Sequence, residues 1–360
     1  MSGRELGLII KRLERLEAAV HGGGYSKHVV DFSVNTNPLA PPLSLVQLLK
    51  HAVCNLTRYP SYKELGELLA ELHDLRPSCF LVGSGATQLI YDVALAFYKP
   101  GCAFYVASPT FCEYERAALR LGARTFAVLP QEGIDPLFDG VTEHLKEGDT
   151  LFLCNPNNPT GSAFYAKQIV ELSQELERKR CNLVVDESYV WFSDRKFESI
   201  KNVDSQSRLV VIRSLTKLLG LPGLRAGYVV SNPKIMSKLE LAQSPWPVNS
   251  LVKPSLEFLI KNPKFVERSR IYVQKERERV VSELKKIGIS AHKSETNFYL
   301  LNTHVFGLNS KDLCKKLLQK RLAIRDCSSF RGLDASWVRV CVKKRRENDF
   351  LVRTLGGFLK

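Results

Sequence analysis

From about residue 79 onward the chain alternates short, almost wholly apolar runs with longer amphipathic stretches, and this rhythm constrains its fold more than any other feature. Six runs read as buried strands: residues 79–82, 103–107, 150–154, 182–185, 209–212 and 228–230. Residues 88–98, 112–121 and 166–179 carry apolar side chains at helical spacing between several of them. A strand without a polar face must be covered on both sides. Strands alternating with helices therefore predict a three-layer α/β domain around a mostly parallel sheet.

The pattern changes on either side of this region. Leu6, Ile9, Ile10, Leu13, Leu16 and Val20 predict an amphipathic helix over residues 4–20, broken by glycines 22–24. The stretch 243–249 contains two prolines and a tryptophan and reads as a junction. Beyond it come a long charged helix around 264–286, strands near 297–301 and 337–342, and helices near 310–320 and 346–358. The predicted organisation is an N-terminal helix and arm (1–45), a large domain (46–245) and a smaller α+β C-terminal domain (246–360).

Composition excludes several function classes. The 360 residues are 44% hydrophobic, yet no run of about 18 apolar residues occurs, so no membrane span is expected. The N-terminus interleaves charged with apolar residues, unlike a signal peptide, and a cytoplasmic location follows. Nine scattered cysteines form no CxxC pair, which favours buried free thiols over disulfides or a metal site. The formal charge of +15 permits either nucleic-acid binding or a solvated basic surface. Its even spread and the lack of any nucleic-acid module favour the surface. Such a field also draws in small anions, phosphorylated metabolites among them.

Chemistry concentrates at predicted strand ends, where open α/β sheets bind ligands. Asp186 ends the run NLVVD, and Lys217 follows the run LVVIRS. A lysine able to form an imine and a carboxylate able to keep a ring nitrogen protonated are the two groups that pyridoxal phosphate (PLP) chemistry requires. The segment Asn155-Pro-Asn-Asn-Pro-Thr-Gly161 has turn composition. Gly83-Ser-Gly-Ala-Thr87 lies between strand and helix, where free backbone N–H groups favour an anion. Ser214-Leu-Thr-Lys217 and Leu221-Pro-Gly-Leu-Arg225 supply hydroxyls and a guanidinium suited to a phosphate.

NPNNPTG, DES-Y (186–189), SLTK and PGLRAGY (222–228), in that order, resemble fold-type I PLP enzymes of the aspartate aminotransferase superfamily. The resemblance covers the chain from about residue 21. It implies Lys217 as Schiff-base lysine and proton shuttle, and Asp186 as partner of the pyridine nitrogen. It implies Asn158 and Tyr189 at the ring's phenolic oxygen, and Ala86, Thr87, Ser214 and Arg225 at the phosphate. It puts Phe111, in SPTF, on the ring face. Tyr59, in RYP, would reach the cofactor of a second subunit, which implies a homodimer. Arg339, in WVRV, would bind an anionic group of the substrate.

Within the superfamily the chain resembles histidinol-phosphate aminotransferases and, more closely, threonine-phosphate decarboxylases of cobalamin synthesis. The closer likeness rests on His21-Gly-Gly, on DFSVNTNP (31–38), on PWPVN (245–249) and on IRDCSSFRGL (324–333). It implies His21, Gly22, Asn35, Asn158, Arg325 and Arg339 as substrate contacts, and O-phospho-L-threonine as substrate. Two arginines suit a substrate with two anionic ends. PLP itself does not choose the reaction: the bond perpendicular to the ring plane breaks, so substrate orientation decides. The chain departs from the likeness in a shortened spacing between His21 and Asp31 and a longer N-terminal helix.

Overall fold

A computed structural model describes residues 22–137, 140–203 and 208–359, which build a seven-stranded sheet and a three-stranded sheet. The large sheet consists of β1 (Phe80–Gly83), β2 (Ala103–Ala107), β3 (Arg124–Val128), β4 (Thr150–Cys154), β5 (Asn182–Asp186), β6 (Leu209–Ser214) and β7 (Gly227–Val230). Their order across the sheet is β1-β7-β6-β5-β4-β2-β3. From β6 to β3 all neighbours are parallel, while β7 runs antiparallel to both β6 and β1.

Side-chain alternation sorts the strands onto two cores. Leu151, Leu153, Leu183, Val185, Leu209 and Val211 face helix Ala166–Arg178, whose Ile169, Leu172 and Leu176 are buried against them. Phe152, Val184, Val210, Ile212 and Val229 face the other way. There they meet helices Gly85–Phe97, Glu113–Arg120 and Pro233–Ala242. With both faces covered, the central strands can be apolar throughout, as their sequence requires.

The six expected strands are present within one or two residues of their predicted bounds. Strand β3 was not expected. It pairs only with β2 at the sheet edge, and none of its five residues is fully buried, so RTFAV lacks the apolar run that marks its neighbours. The helix expected over residues 4–20 lies outside the described residues.

The smaller sheet is antiparallel, in the order β9-β10-β8, from β8 (Phe298–Asn302), β9 (Arg325–Asp326) and β10 (Trp337–Cys341). Its core takes Val280 and Leu284 from helix Pro263–Lys286, Leu313 and Leu317 from helix Ser310–Gln319, and Leu351 and Leu355 from helix Arg345–Gly356. The N-terminal segment ties the two sheets together. Val30–Asp31 pairs in parallel with Leu322–Ala323, and Phe32 is fully buried in the smaller core. A few residues on, the Asn37 backbone N–H donates to the Lys217 carbonyl (2.9 Å), and its side-chain amide donates to the Leu218 carbonyl (2.9 Å).

Ile212 sits on a central strand with no exposed surface. Ile212→Ala is expected to cost about 2–5 kcal/mol in denaturant unfolding, because the emptied volume cannot collapse. Leu241 is 90% exposed, and Leu241→Ala is expected to change stability by less than about 0.5 kcal/mol.

Candidate active site

A cavity of about 720 Å³ opens at the carboxyl ends of β4, β5 and β6, between the two sheets. Cys154, Asp186 and Ser214 line it from the large sheet, Arg325 and Arg339 from the smaller one, and Asn35 from the N-terminal segment. Parallel strands bring their ends to one edge, which is why open α/β sheets bind ligands there.

Asp186 and Lys217 form the charged floor. Asp186 is the last residue of β5 and pairs in register with Ile212 of β6. Its Oδ1 accepts from the Ser188 backbone N–H (2.8 Å) and its Oδ2 from the Tyr114 hydroxyl (2.7 Å). Burial raises the carboxyl pKa, while the hydrogen bonds of Ser188 and Tyr114 and the charge of Lys217 work against it. Lys217 lies in the short helix Leu215–Leu219, whose leucines 215, 218 and 219 are buried and which Gly220 ends in a left-handed conformation. Burial, then the charges of Arg339 and Arg225, push the Lys217 pKa down to about 8. Its ammonium stands 5.9 Å from the centre of the Tyr189 ring and has no hydrogen-bond partner among the described residues.

An anion cradle adjoins the floor. Helix Gly85–Phe97 starts there, and the backbone N–H groups of its first turn, including those of Ala86 and Thr87, are free of intrahelical bonds. The Arg225 Nη2 donates to the Ser84 carbonyl at 3.3 Å, beside that helix start. Arg225 has φ +53°, a conformation costing roughly 1–2 kcal/mol for a non-glycine residue. Gly227 lets β7 approach the same turn. A Cβ there would lie 2.8 Å from the Arg213 carbonyl oxygen and 3.0 Å from the Ala86 nitrogen, both fixed backbone atoms.

The opposite wall is cationic. Arg325 and Arg339 are direct cross-strand partners on β9 and β10, and both are more than nine-tenths buried. The Arg339 Nη1 donates to Asn158 Oδ1 and its Nη2 to the Ser33 carbonyl (2.8 Å). Its Nε is buried without a hydrogen-bond partner, and no carboxylate pairs with it among the described residues. The Arg325 Nη2 donates to Ser329 Oγ (3.0 Å), and its guanidinium lies 5.5 Å from the Phe330 ring centre. Asn35 is buried nearby, and neither atom of its carboxamide has a partner of hydrogen-bond geometry among the described residues.

Most residues singled out in the sequence converge here. Gly22, Asn35, Ala86, Thr87, Phe111, Asn158, Asp186, Tyr189, Ser214, Lys217, Arg225, Arg325 and Arg339 all line the one cavity. Tyr59 does not. It is 74% exposed and stacks on Trp246, with ring centres 4.5 Å apart. His21 lies outside the described residues. Sequence reasoning missed Tyr114, Ser33, Ser329 and Lys343, which also shape or line the cavity. Tyr114 sits on the apolar stripe of helix Glu113–Arg120, where an inward tyrosine reads as ordinary core. Ser33 and Ser329 lie within segments singled out in the sequence but were not themselves distinguished there, and Lys343 carries no local signal, because only the packing of the two sheets brings them together.

Gly227→Ala is expected to force β7 away from the helix start at residue 85. The check is a melting temperature lowered together with weaker inorganic phosphate protection of the protein against unfolding.

Comparison with known proteins agrees with this geometry. The chain matches the family described as "Aminotransferase class I and II" over residues 27–355. It is 35% identical, over 97% of its own length and 96% of the relative's, to a protein of Caldanaerobacter subterraneus provisionally named a threonine-phosphate decarboxylase. It is 32% identical to the histidinol-phosphate aminotransferase of the same organism, over 87% of each chain. The crystal structure of L-threonine-O-3-phosphate decarboxylase from Porphyromonas gingivalis superposes with a TM-score of 0.81 at 28% identity, covering 91% of this chain and 98% of the other. PLP is the cofactor these findings imply. The residues present fit it: a buried carboxylate able to face a cation, a half-buried lysine whose pKa is lowered to about 8, and a phosphate cradle. The chain belongs to the class I and II aminotransferase family of PLP enzymes.

Proposed function

We propose that this protein decarboxylates O-phospho-L-threonine to (R)-1-aminopropan-2-yl phosphate, a step of cobalamin synthesis. The observation that carries the reading is the pair Arg325–Arg339, two buried guanidiniums opposite each other on neighbouring strands. Like charges so placed repel, and a substrate with two anionic groups relieves that repulsion. Histidinol phosphate has only one anionic end. The relative at 35% identity supports the same choice.

The chain's residues divide the work. Lys217 would hold PLP covalently, and Asp186 would face its ring nitrogen. Ala86, Thr87, Ser214 and Arg225 would hold its phosphate, with Phe111 on the ring face and Asn158 and Tyr189 at the phenolic oxygen. Burial pushes the Tyr189 hydroxyl pKa up to about 12, so it stays a hydrogen-bond donor. When bound, the cofactor supplies an electron sink for the bonding pair released as the α-carbon–carboxylate bond breaks. Lys217 would return a proton to the α-carbon. Arg325, Arg339, Asn35, Asn158 and Gly22, with His21, would fix the substrate's phosphate and carboxylate, and so choose which bond stands across the ring plane. Tyr59, exposed beside Trp246, suits contact with the cofactor of a second copy in a homodimer.

Carbon dioxide release from O-phosphothreonine, measured against glutamate formation from histidinol phosphate and 2-oxoglutarate, tests the reading. Stoichiometric carbon dioxide with the amine product is expected. Efficient amino transfer without carbon dioxide would replace it by the aminotransferase reading.

The Lys217 environment sets a pH dependence. Only the neutral amine attacks an aldehyde, and the lowered pKa makes it available above about 8 rather than above 10.5. Capture of added PLP by cofactor-free protein, followed by visible absorbance, is therefore expected to accelerate with rising pH and to level off above a midpoint near 8. A midpoint near 10 would contradict this environment.

A further inference from the structure

Behind the candidate site lies a buried charged network that the chemistry above does not use. Arg213 precedes Ser214 on β6 and has no exposed surface. Its Nε and Nη2 donate to Glu187 Oε2 at 2.9 and 2.6 Å, and Nη2 also reaches Glu198 Oε2 at 3.1 Å. Glu187 follows Asp186 and is likewise fully buried. Its other oxygen accepts from the Ser199 backbone N–H (2.5 Å) and hydroxyl (2.6 Å). The Trp191 ring centre lies 5.1 Å from the guanidinium. Tyr228, whose hydroxyl meets His73 Nε2 at 2.7 Å, is close enough to feel the Arg213 charge, and the Arg213 Nη1 is buried without a hydrogen-bond partner among the described residues.

Strand alternation puts this network on the far face of the sheet. Arg213 shares its face with Val211, whereas Asp186 shares the opposite face with Val184. No network atom is placed to touch a ligand in the cavity. Burial opposes the charge on both partners and raises the Glu187 carboxyl pKa, while the Arg213 charge and the Ser199 hydrogen bonds work against that rise, and Glu187, Tyr228 and Glu198 together hold the Arg213 pKa above its ordinary value. A buried ion pair contributes little net stability, because desolvation offsets its attraction. What it supplies is direction, since two Arg213 N–H groups converge on one Glu187 oxygen while Ser199 holds the other.

We infer that the Glu187–Arg213 pair is a positioning device: it clamps the ends of β5 and β6 from behind and so sets the placement of the Asp186 carboxylate relative to the Lys217 amine. Each clamp residue is one position from a residue of the site. The Glu187 backbone N–H also donates to the Ile212 carbonyl (2.8 Å), extending the parallel ladder one step beyond Asp186. The inference rests on the PLP reading of the site and is independent of which reaction the protein performs.

The test uses PLP-saturated protein carrying Glu187→Gln, Arg213→Lys, Arg213→Met, the double apolar change Glu187→Leu/Arg213→Met, or Glu198→Gln. The double change roughly keeps volume and leaves no fully buried charge unpaired, since Glu198, which also loses Arg213, is partly open to solvent. Glu198→Gln alters the half-open rim and puts folding least at risk. Three quantities are read: melting temperature, the pH midpoint of the visible cofactor band without substrate, and kcat against KM. Glu187→Gln is expected to lower the pH midpoint by about half a unit or more, because Arg213 then acts on the site with less compensation. It is expected to lower kcat about tenfold or more, with KM within about threefold. Arg213→Lys should recover part of what Arg213→Met loses, and Glu198→Gln should shift the midpoint less, in the same direction. Wild-type midpoint and kcat in every folded variant, with only the melting temperature lowered, would reduce the pair to a structural role and overturn the inference. A wild-type protein without a visible band at saturating PLP would instead defeat the cofactor reading itself.

Discussion

A buried carboxylate at the end of one parallel strand and a half-buried amine in the short helix that follows the neighbouring strand line one cavity, and the rest of the structure accommodates them. Neither charge is cheap to bury alone. Asp186 is held by the Ser188 N–H and the Tyr114 hydroxyl, and Lys217 feels Asp186 on one side and two arginines on the other. The outcome is a carboxyl group with a raised pKa next to an amine with a lowered one. Burial is the largest cause of both shifts, and it brings the Lys217 amine to about 8. Parallel register makes this possible, because it delivers both strand ends to one edge with no intervening turn.

The smaller sheet contributes charge of one sign. Arg325 and Arg339 face each other across β9 and β10 and look onto the same cavity as the Asp186–Lys217 pair. Within the chain, Arg339 meets neutral oxygens, those of Asn158 and the Ser33 backbone, rather than a carboxylate. A wall built this way has cationic capacity left over for something that enters. The N-terminal segment holds the wall to the floor, since it pairs with Leu322–Ala323 at one end and bonds to the Lys217 and Leu218 carbonyls at the other. The distance between anion-binding wall and reactive floor therefore depends on a strap about eight residues long rather than on either sheet alone.

Most of the large sheet was legible in the sequence, because its central strands are covered on both faces and must be apolar throughout. The edge strand β3 was not, since an edge strand half open to solvent carries no such run. The reversal of β7 was also hidden, because strand direction leaves no mark on side-chain pattern. Asp186, Lys217 and the glycine and proline motifs stood out because strand ends and turns demand particular residue types. Tyr114, Glu187 and Arg213 did not, for their roles arise from contacts between segments 26 to 72 positions apart.

The sequence by itself determined the α/β class, the strand ends that carry reactive groups and the family's motifs, all of which are local patterns of spacing and polarity. Only the tertiary structure decided that two arginines of the smaller sheet share a cavity of about 720 Å³ with an aspartate of the large sheet and a lysine of the helix that follows its neighbouring strand, and that a buried ion pair lies behind them. The reason is physical: polarity along a chain records which residues are buried, whereas the distances and burial that tune a charge come from neighbours remote in sequence.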